Sequence, residues 1–335
     1  MLSFIAKRFV YLIPVLIGVS VITFTLSHLV PGDPARMIVG QRATEETVAR
    51  MREELGLTKP IPVQYWNYVK GLTRGDLGTS IRSQRPVVKD LAERLPASLE
   101  LTALSLLICL LVAIPLGITS AVKRNRPVDH VLRVFALFGV SMPVFWWGLI
   151  LLLAFYVNLG WLPGPGRLSV GVAPPPTVTG LYLVDAALAR DWTAWKDAAR
   201  HIILPAFCLS YVYLAIMTRM VRASMLDVLN QEYIRTARAN GLSERRIIWR
   251  HALRNALIPT VTILGLSFGE LIGGAILTES IFAWPGLGSY MVESVEFLDF
   301  PAIMGFTILI CLIYVGINLL VDIVYAWLDP QIRLG

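Results

Sequence analysis

EYIRTARANGLSERRIIWRHALRNALIP, residues Glu232 to Pro259, is strongly basic and helix-prone, with one internal glycine and apolar segments on both sides. With two arginines shortly ahead of it, the region holds eight: Arg219, Arg222, Arg235, Arg238, Arg245, Arg246, Arg250 and Arg254. Loops rich in Lys and Arg between two spans stay on the cytoplasmic side of a membrane, which fixes the side of this one. Met225–Ala239 is built of good helix formers, and Gly241 stands where a C′ glycine with positive φ ends a helix. Ser243 suits the N-cap of a second helix through Arg254. The expected product is a helix–turn–helix knuckle projecting into the cytosol. The bland alternative is a basic interfacial loop lying on anionic lipid.

Working outward, the rest of the chain reads as membrane. It is 56% hydrophobic and only 16% charged, with mean hydropathy +0.64, where soluble domains carry roughly 25% charge. Uncharged runs at Phe9–Val30, Leu101–Val122, Val134–Leu159, Ile202–Thr218 and Phe300–Val321 are each near the roughly 20 residues that cross a bilayer. A sixth, Ala256–Thr278, is apolar apart from Glu270. Hydrocarbon offers the backbone no other hydrogen-bond partner, so each span must be helical. The expectation is an all-α polytopic membrane protein with spans at 9–30, 101–122, 134–159, 202–218, 256–278 and 300–327. Residues 1–8 and 328–335 are then the terminal tails, 123–133 and 219–255 the inner loops, and 31–100, 160–201 and 279–299 the outer segments.

Charge orients this array. Lys7 and Arg8 precede the first span, Lys123, Arg124, Arg126 and Arg133 lie around the first inner loop, and Glu279–Ala326 has neither Lys nor Arg. Both termini are therefore expected in the cytoplasm. The outer loop Pro31–Glu100 carries eleven basic and nine acidic residues, but it is long enough to escape the rule. The net charge of +7 is a topology signal and not a nucleic-acid footprint, since no basic run is interleaved with aromatics. The first apolar run exceeds a usual signal-peptide core and ends in Pro-Gly-Asp-Pro, so it reads as a retained anchor. The segment 31–100 mixes helical stretches such as Glu45–Leu55 with turns at Gly71, Gly75 and Gly78, and Tyr65, Trp66 and Tyr68 point to a folded cap. In 160–201 the prolines at 163, 165 and 174–176 forbid regular helix, with Trp192 and Trp195 marking a short interfacial helix before the fourth span.

Catalytic patterns are missing from the sequence. It contains no Gly-Lys dipeptide and hence no phosphate-cradling P-loop, and no H-E-x-x-H. Cys109, Cys208 and Cys311 sit singly in different spans, and His28, His130, His201 and His251 are scattered at membrane boundaries. Chemistry must come from partners.

The core Thr236-Ala237-Arg238-Ala239-Asn240-Gly241-Leu242 resembles the loop by which permease subunits of bacterial ATP-binding-cassette importers dock onto their ATPases. Pro31-Gly32-Asp33-Pro34, Asp76-Leu77-Gly78-Thr79-Ser80, Ser141-Met142-Pro143-Val144-Phe145-Trp146-Trp147, Ile276-Leu277-Thr278-Glu279, Trp284-Pro285-Gly286-Leu287-Gly288 and Asp329-Pro330-Gln331-Ile332-Arg333 extend the likeness over nearly the whole chain. Together they resemble the dipeptide/oligopeptide/nickel permease family, its dipeptide B-type subunits above all. The resemblance implies the type I importer permease fold, one permease domain over about 95–330, in the inner membrane of a bacterium. It implies a second homologous permease, two cytosolic ATPases that bind ATP and Mg, and a periplasmic or lipid-anchored binding protein. This chain would hold no cofactor or metal of its own, and it would touch membrane lipid but no nucleic acid. Dipeptides or short oligopeptides are the implied substrates, with nickel chelates and other small solutes as alternatives. By motif position, Glu232, Tyr233, Thr236, Ala237, Ala239, Gly241 and Leu242 would form the ATPase-coupling surface. The chain departs from the broad loop consensus in having Arg235-Thr236-Ala237 for Glu-Ala-Ala and no proline at Arg254, Pro259 coming later.

Inside the membrane, Glu270 has two readings: it lines the path or holds the partner permease, or it is paired within the bundle or at the subunit seam. A charge at the bilayer centre costs roughly 2.5–3.5 kcal/mol, so it needs a cavity or a polar partner. Gly265, Gly269, Gly273 and Gly274 favour close helix approach on the same span. Asp322 follows Asn318 near the inner end of the last span. Ser141 and Met142, ahead of Pro143, mark a kink in the third span that is either a gate or packing. Ser141, Met142, Glu270 and Gly273 are thus the candidate path or seam residues. Two other classes stand beside the importer: a proton-coupled secondary transporter relying on Glu270, and an intramembrane enzyme, for which no constellation is visible.

Overall fold

A computed structural model describes residues 2–29, 33–40 and 42–328. Its helices are α1 (Leu2–Leu29), α2 (Pro34–Val39), α3 (Glu45–Glu54), α4 (Ile61–Leu72), α5 (Val87–Val122), α6 (Pro127–Ser141), α7 (Val144–Leu151), α8 (Tyr182–Leu188), α9 (Trp192–Leu229), α10 (Glu232–Ala239), α11 (Glu244–Arg246), α12 (Leu253–Ala256), α13 (Ile258–Ile281), α14 (Leu287–Glu296) and α15 (Phe300–Leu328). A π-helix over Leu152–Asn158 continues α7, and another over Ile247–Ala252 joins α11 to α12. Among the described residues, extended pairing is limited to a bridge between Thr79 and Pro86. The chain forms two compact units, Met1–Pro96 with Gly286–Val315 and Ala97–Pro285 with Gly316–Gly335.

In the first unit, the cap helix α4 lies along α1. Ser20 Oγ and Tyr65 OH share a hydrogen bond of 2.9 Å, and the Phe24 ring stacks on Tyr68 at 5.9 Å. Asp33 caps α2 by accepting from the Ala35 N–H, and Arg52 grips the same carboxylate at 2.6 Å. That hydrogen bond from Arg52 holds the Asp33 carboxyl below the usual carboxylate range. Val87, Leu91, Leu287, Tyr290, Ala302 and Phe306 form the core of this unit. Pro31 and Gly32, half of the motif before α2, lie outside the described residues, as do Asp329–Arg333 and the side chain of Asp322.

The second unit is organised on α9, 38 residues long and buried along much of its length. Glycines let its neighbours approach closely. A Cβ on Gly117 of α5 would fall 2.6 Å from Val221 Cβ, and one on Gly139 of α6 would fall 2.7 Å from Ala215 Cβ. On α13 it is Gly265 that packs tightly, against Val321 of α15, at 1.9 Å for an added Cβ. The proline-rich loop before α8 is ordered by buried acids instead of by helix. Glu100 accepts from Arg167 at 2.5 Å and from the Leu183 N–H at 2.7 Å. Asp185 accepts from the N–H groups of Val178, Thr179 and Gly180. Burial pushes the Asp185 carboxyl up, but these bonds and the Thr179 hydroxyl outweigh it and leave it lowered.

Among the described residues four helices are long and apolar enough to cross a membrane: Leu12–Leu29, Val87–Val122, Trp192–Leu229 and Phe300–Val321. Two bent pairs, Pro127–Gly139 with Val144–Asn158 and Ile263–Gly273 with Ala275–Ile281, raise this to six if each pair is one crossing. Three expectations need correction. The third span is not a kinked helix, because its halves turn by 105°. Pro143 disfavours helical backbone at the residue before it, and Met142 is extended at φ −88°, ψ 131°. Trp192 and Trp195 lie in the first turn of α9 and not on a separate interfacial helix, since no glycine divides them from the span. The helix expected over Met225–Ala239 breaks at Asn230 and Gln231, where Gln231 turns extended.

Candidate functional site

The knuckle grows from the end of α9. Asn230 closes that helix, its side chain reaching back to the Leu226 carbonyl at 2.9 Å. After the extended Gln231, α10 runs to Ala239 and ends in a Schellman motif. The Gly241 N–H donates to the Arg238 carbonyl at 3.0 Å, and the Leu242 N–H donates to the Ala237 carbonyl at 3.2 Å. Gly241 sits at φ +76°, a conformation that costs an ordinary L-residue roughly 1–2 kcal/mol. Ser243 is extended as an N-cap residue is, but its side chain makes no capping bond. The return arm runs beyond Arg254 to Ala256.

Side-chain bonds tie the two arms together. Arg238 meets Glu244 across the turn with two hydrogen bonds, at 2.7 and 3.3 Å. Nearer the membrane-entering end, Asn255 donates to the Tyr233 hydroxyl at 2.8 Å. Ile234, Ala237, Ile247, Ala252 and Ala256 then bury themselves in one cluster with Val221, Met225 and Val228 of α9. The knuckle is therefore a braced element.

Of the residues expected on the coupling surface, Glu232, Tyr233, Thr236, Ala239 and Gly241 are exposed. Ala237 is not: it packs into the cluster, while Leu242 is half-buried against it. Both fall on the inner side because the Schellman turn folds Leu242 back over the last turn of α10. Space around Gly241 is open, so its requirement within this chain is conformational and not steric.

The membrane candidates do not gather at the knuckle. Glu270 is exposed on α13 and is approached by the Tyr213 hydroxyl at 3.5 Å. Gly273, near the 47° bend of that helix, has nothing within 4 Å of an added Cβ. Gly265, and not Gly273, is thus used for close packing inside this chain. Ser141 is exposed, its hydroxyl turned back to the Leu137 carbonyl at 2.9 Å, and Met142 is half-buried.

One cluster escaped sequence reasoning. Asp129, fully buried in the first turn of α6, accepts from Arg222 Nε at 2.8 Å and Nη2 at 2.9 Å. Ser120 of α5 and the Asn125 N–H also donate to it, at 2.5 and 3.0 Å. Arg222 counts only as a loop charge in the sequence. No local spacing signals a bond between residues 93 positions apart.

Residues 113–334 match the family described as the binding-protein-dependent transport system inner membrane component, and residues 1–102 match its N-terminal companion family. The chain is 50% identical over 333 residues to a probable D,D-dipeptide transport system permease protein of Escherichia coli K12, covering 99% of this chain and 98% of that one. It is 43% identical over 336 residues to the dipeptide transport system permease protein of the same organism, with 99% of each covered. To the dipeptide transport system permease protein of Alkalihalophilus pseudofirmus it is 42% identical over 333 residues, 99% and 100% covered. A solved structure of the inward-facing MetNI methionine ABC transporter aligns over 70% of this chain and 93% of that one, at 16% identity and TM-score 0.49.

Proposed function

We propose, on the premise that the chain belongs to the family of inner-membrane components of binding-protein-dependent transport systems, that it is the permease subunit of an ATP-driven peptide importer. In this reading it crosses the membrane six times with both termini in the cytoplasm, and 31–100 forms an insertion on the outer side. A second, homologous permease completes the path. Two cytosolic ATPases, carrying the ATP and Mg, seat the paired knuckles, and a binding protein delivers the substrate. The substrates are dipeptides, the class named for its relatives, or short oligopeptides.

The observation that carries this reading is the braced, exposed turn at Gly241. A lever must not deform under load, and Arg238–Glu244, Tyr233–Asn255 and the Schellman bonds hold both arms. The exposed Glu232, Tyr233, Thr236, Ala239 and Gly241 are the surface offered to the ATPase. Closure of the ATPases around ATP draws the knuckles together and opens the path outward, and hydrolysis resets it.

Affinity purification of the tagged chain from its native membrane tests the proposal. A second permease and ATPase subunits should come with it, and the reconstituted assembly should take up a labelled dipeptide only when ATP is supplied. A chain that purifies alone and moves dipeptide on a proton gradient without ATP would sink it.

A further inference from the structure

The return arm of the knuckle carries two stripes. Over Glu244–Ala256 the buried positions are Ile247, Ala252 and Ala256. Trp249, Arg250 and Arg254 are exposed between them. In an α-helix, positions five apart diverge by about 140°. The π-helical bonding over Ile247–Ala252 instead brings residues five apart onto one side. The same irregularity thus aligns Ile247 with Ala252 inward, while Trp249 and Arg250 within it and Arg254 just after it stay exposed.

Charge on this outer stripe is uncompensated. Glu232 and Glu244 are paired with Arg235 and Arg238, whereas Arg250 and Arg254 form no ion pair among the described residues. Trp249 beside them is 52% exposed. Height along the helix decides what can cover the stripe. Arg254 precedes the first residue of α13 by four positions and Trp249 by nine. At 1.5 Å per residue they stand at most about 6 and 14 Å beyond the apolar helix, beside a headgroup layer about 5–7 Å deep. The arginine stems reach the remaining distance by snorkelling. An acidic protein surface would satisfy the arginines equally, but Trp is enriched where a chain meets the membrane interface, which favours lipid for an exposed indole on this arm.

We propose that Trp249, Arg250 and Arg254 form a docking face for the phosphate headgroups of anionic phospholipid, separate from the Gly241 turn. The face keeps the return arm against the membrane surface as the braced knuckle moves with the ATPase. This rests on the cytoplasmic, membrane-boundary position given to the knuckle above.

The test uses the assembled transporter in bilayers of phosphatidylcholine containing phosphatidylglycerol, with bromine placed near the headgroup of one lipid or the other. Fluorescence quenching in the parent minus that in Trp249→Phe isolates the Trp249 signal. That signal should be quenched by brominated phosphatidylglycerol and much less by brominated phosphatidylcholine. Arg250→Gln with Arg254→Gln should raise the phosphatidylglycerol needed for half-quenching by about five-fold per arginine removed, and the Lys pair should restore it. Equal quenching by both lipids would overturn the charge recognition. No quenching by either, with Trp249 emission shifting when the ATPases are stripped, would give the face to the protein partner instead. A wrong orientation of the knuckle shows itself separately, as labelling of a cysteine at Asn240 from outside intact cells.

Discussion

The turn at Gly241 and the break at Met142 are both places where a helix stops and another begins, yet they are held in opposite ways. At Gly241 the closure is local: both Schellman bonds and the Arg238–Glu244 pair join residues within six positions of one another. At Met142 the local bonds supply only a stop. The direction of the chain on either side of that stop is held from a distance, by Gly139 against Ala215 and by the Val144 carbonyl, which accepts from Cys208 Sγ at 3.6 Å. A turn closed by its own residues keeps its shape when its surroundings move. A break closed by a neighbouring helix moves with that neighbour, which here is α9, the same helix that carries the knuckle.

Asp129 is where the two regions are joined, so it is the place to break the comparison most severely. Asp129→Asn keeps the shape but leaves the Arg222 guanidinium, with 19% of its side chain exposed, facing a neutral amide. Losing one partner of a buried pair costs about 3–5 kcal/mol, and the partial exposure of Arg222 places this case toward the lower end. Thermal unfolding of the purified complex should show a clear fall in midpoint, and Asp129→Glu should recover part of it. An unchanged midpoint would mean that α6 and α9 are held by their glycine contacts alone.

Gly241→Val comes next. It strains the turn by more than the roughly 1–2 kcal/mol of an ordinary residue, while the spans and their insertion are untouched. ATPase recruitment should fail, or substrate-stimulated hydrolysis should vanish if recruitment persists. Gly241→Asn sharpens the result, because asparagine tolerates positive φ and the space around this position is open. If Asn retains coupling where Val loses it, backbone conformation is the requirement. If both fail, it is the bulk presented to the partner. Wild-type stoichiometry and stimulated hydrolysis in the Val variant would remove the knuckle from coupling altogether.

The same contrast explains which features are legible in the sequence. Gly241 is legible because a C′ glycine states its own conformation, and its Schellman bonds are to residues three and five positions back. Apolar runs are legible too, and four helices among the described residues are long and apolar enough to cross a membrane. The size of the turn at Pro143 is not legible: a proline announces that helix ends, but no local spacing gives the 105° between the halves. The break at Asn230 escapes a propensity reading because asparagine is only mildly unfavourable in helices. Motif position puts Ala237 on the surface, whereas burial belongs to the cluster that α9 and both arms build together. Asp129 and Arg222 are invisible as a pair because sequence carries charge without distance.

Glu270 is the smallest expected effect, and it bears on the open side of the comparison. It is exposed on α13 three residues before the half-buried Gly273, where nothing lies within 4 Å of an added Cβ. The Tyr213 hydroxyl at 3.5 Å is a weak partner for a carboxylate. A charge left in hydrocarbon costs roughly 2.5–3.5 kcal/mol, so the proposed function would set this surface against the second permease or the path between the two. Glu270→Gln removes the charge and keeps most of the hydrogen-bonding capacity. If ATP supplies the driving force, uptake should stay within about three-fold of the parent, roughly 0.6 kcal/mol in the barrier, and should remain ATP-dependent. A proton relay at this position would behave differently, since the amide cannot exchange a proton and both uptake and its pH dependence would disappear. Uptake measured against pH in proteoliposomes with the complex normally assembled separates the two. Complete loss there would make the open region a site of proton chemistry, and the division between a closed lever and a passive seam would have to be given up.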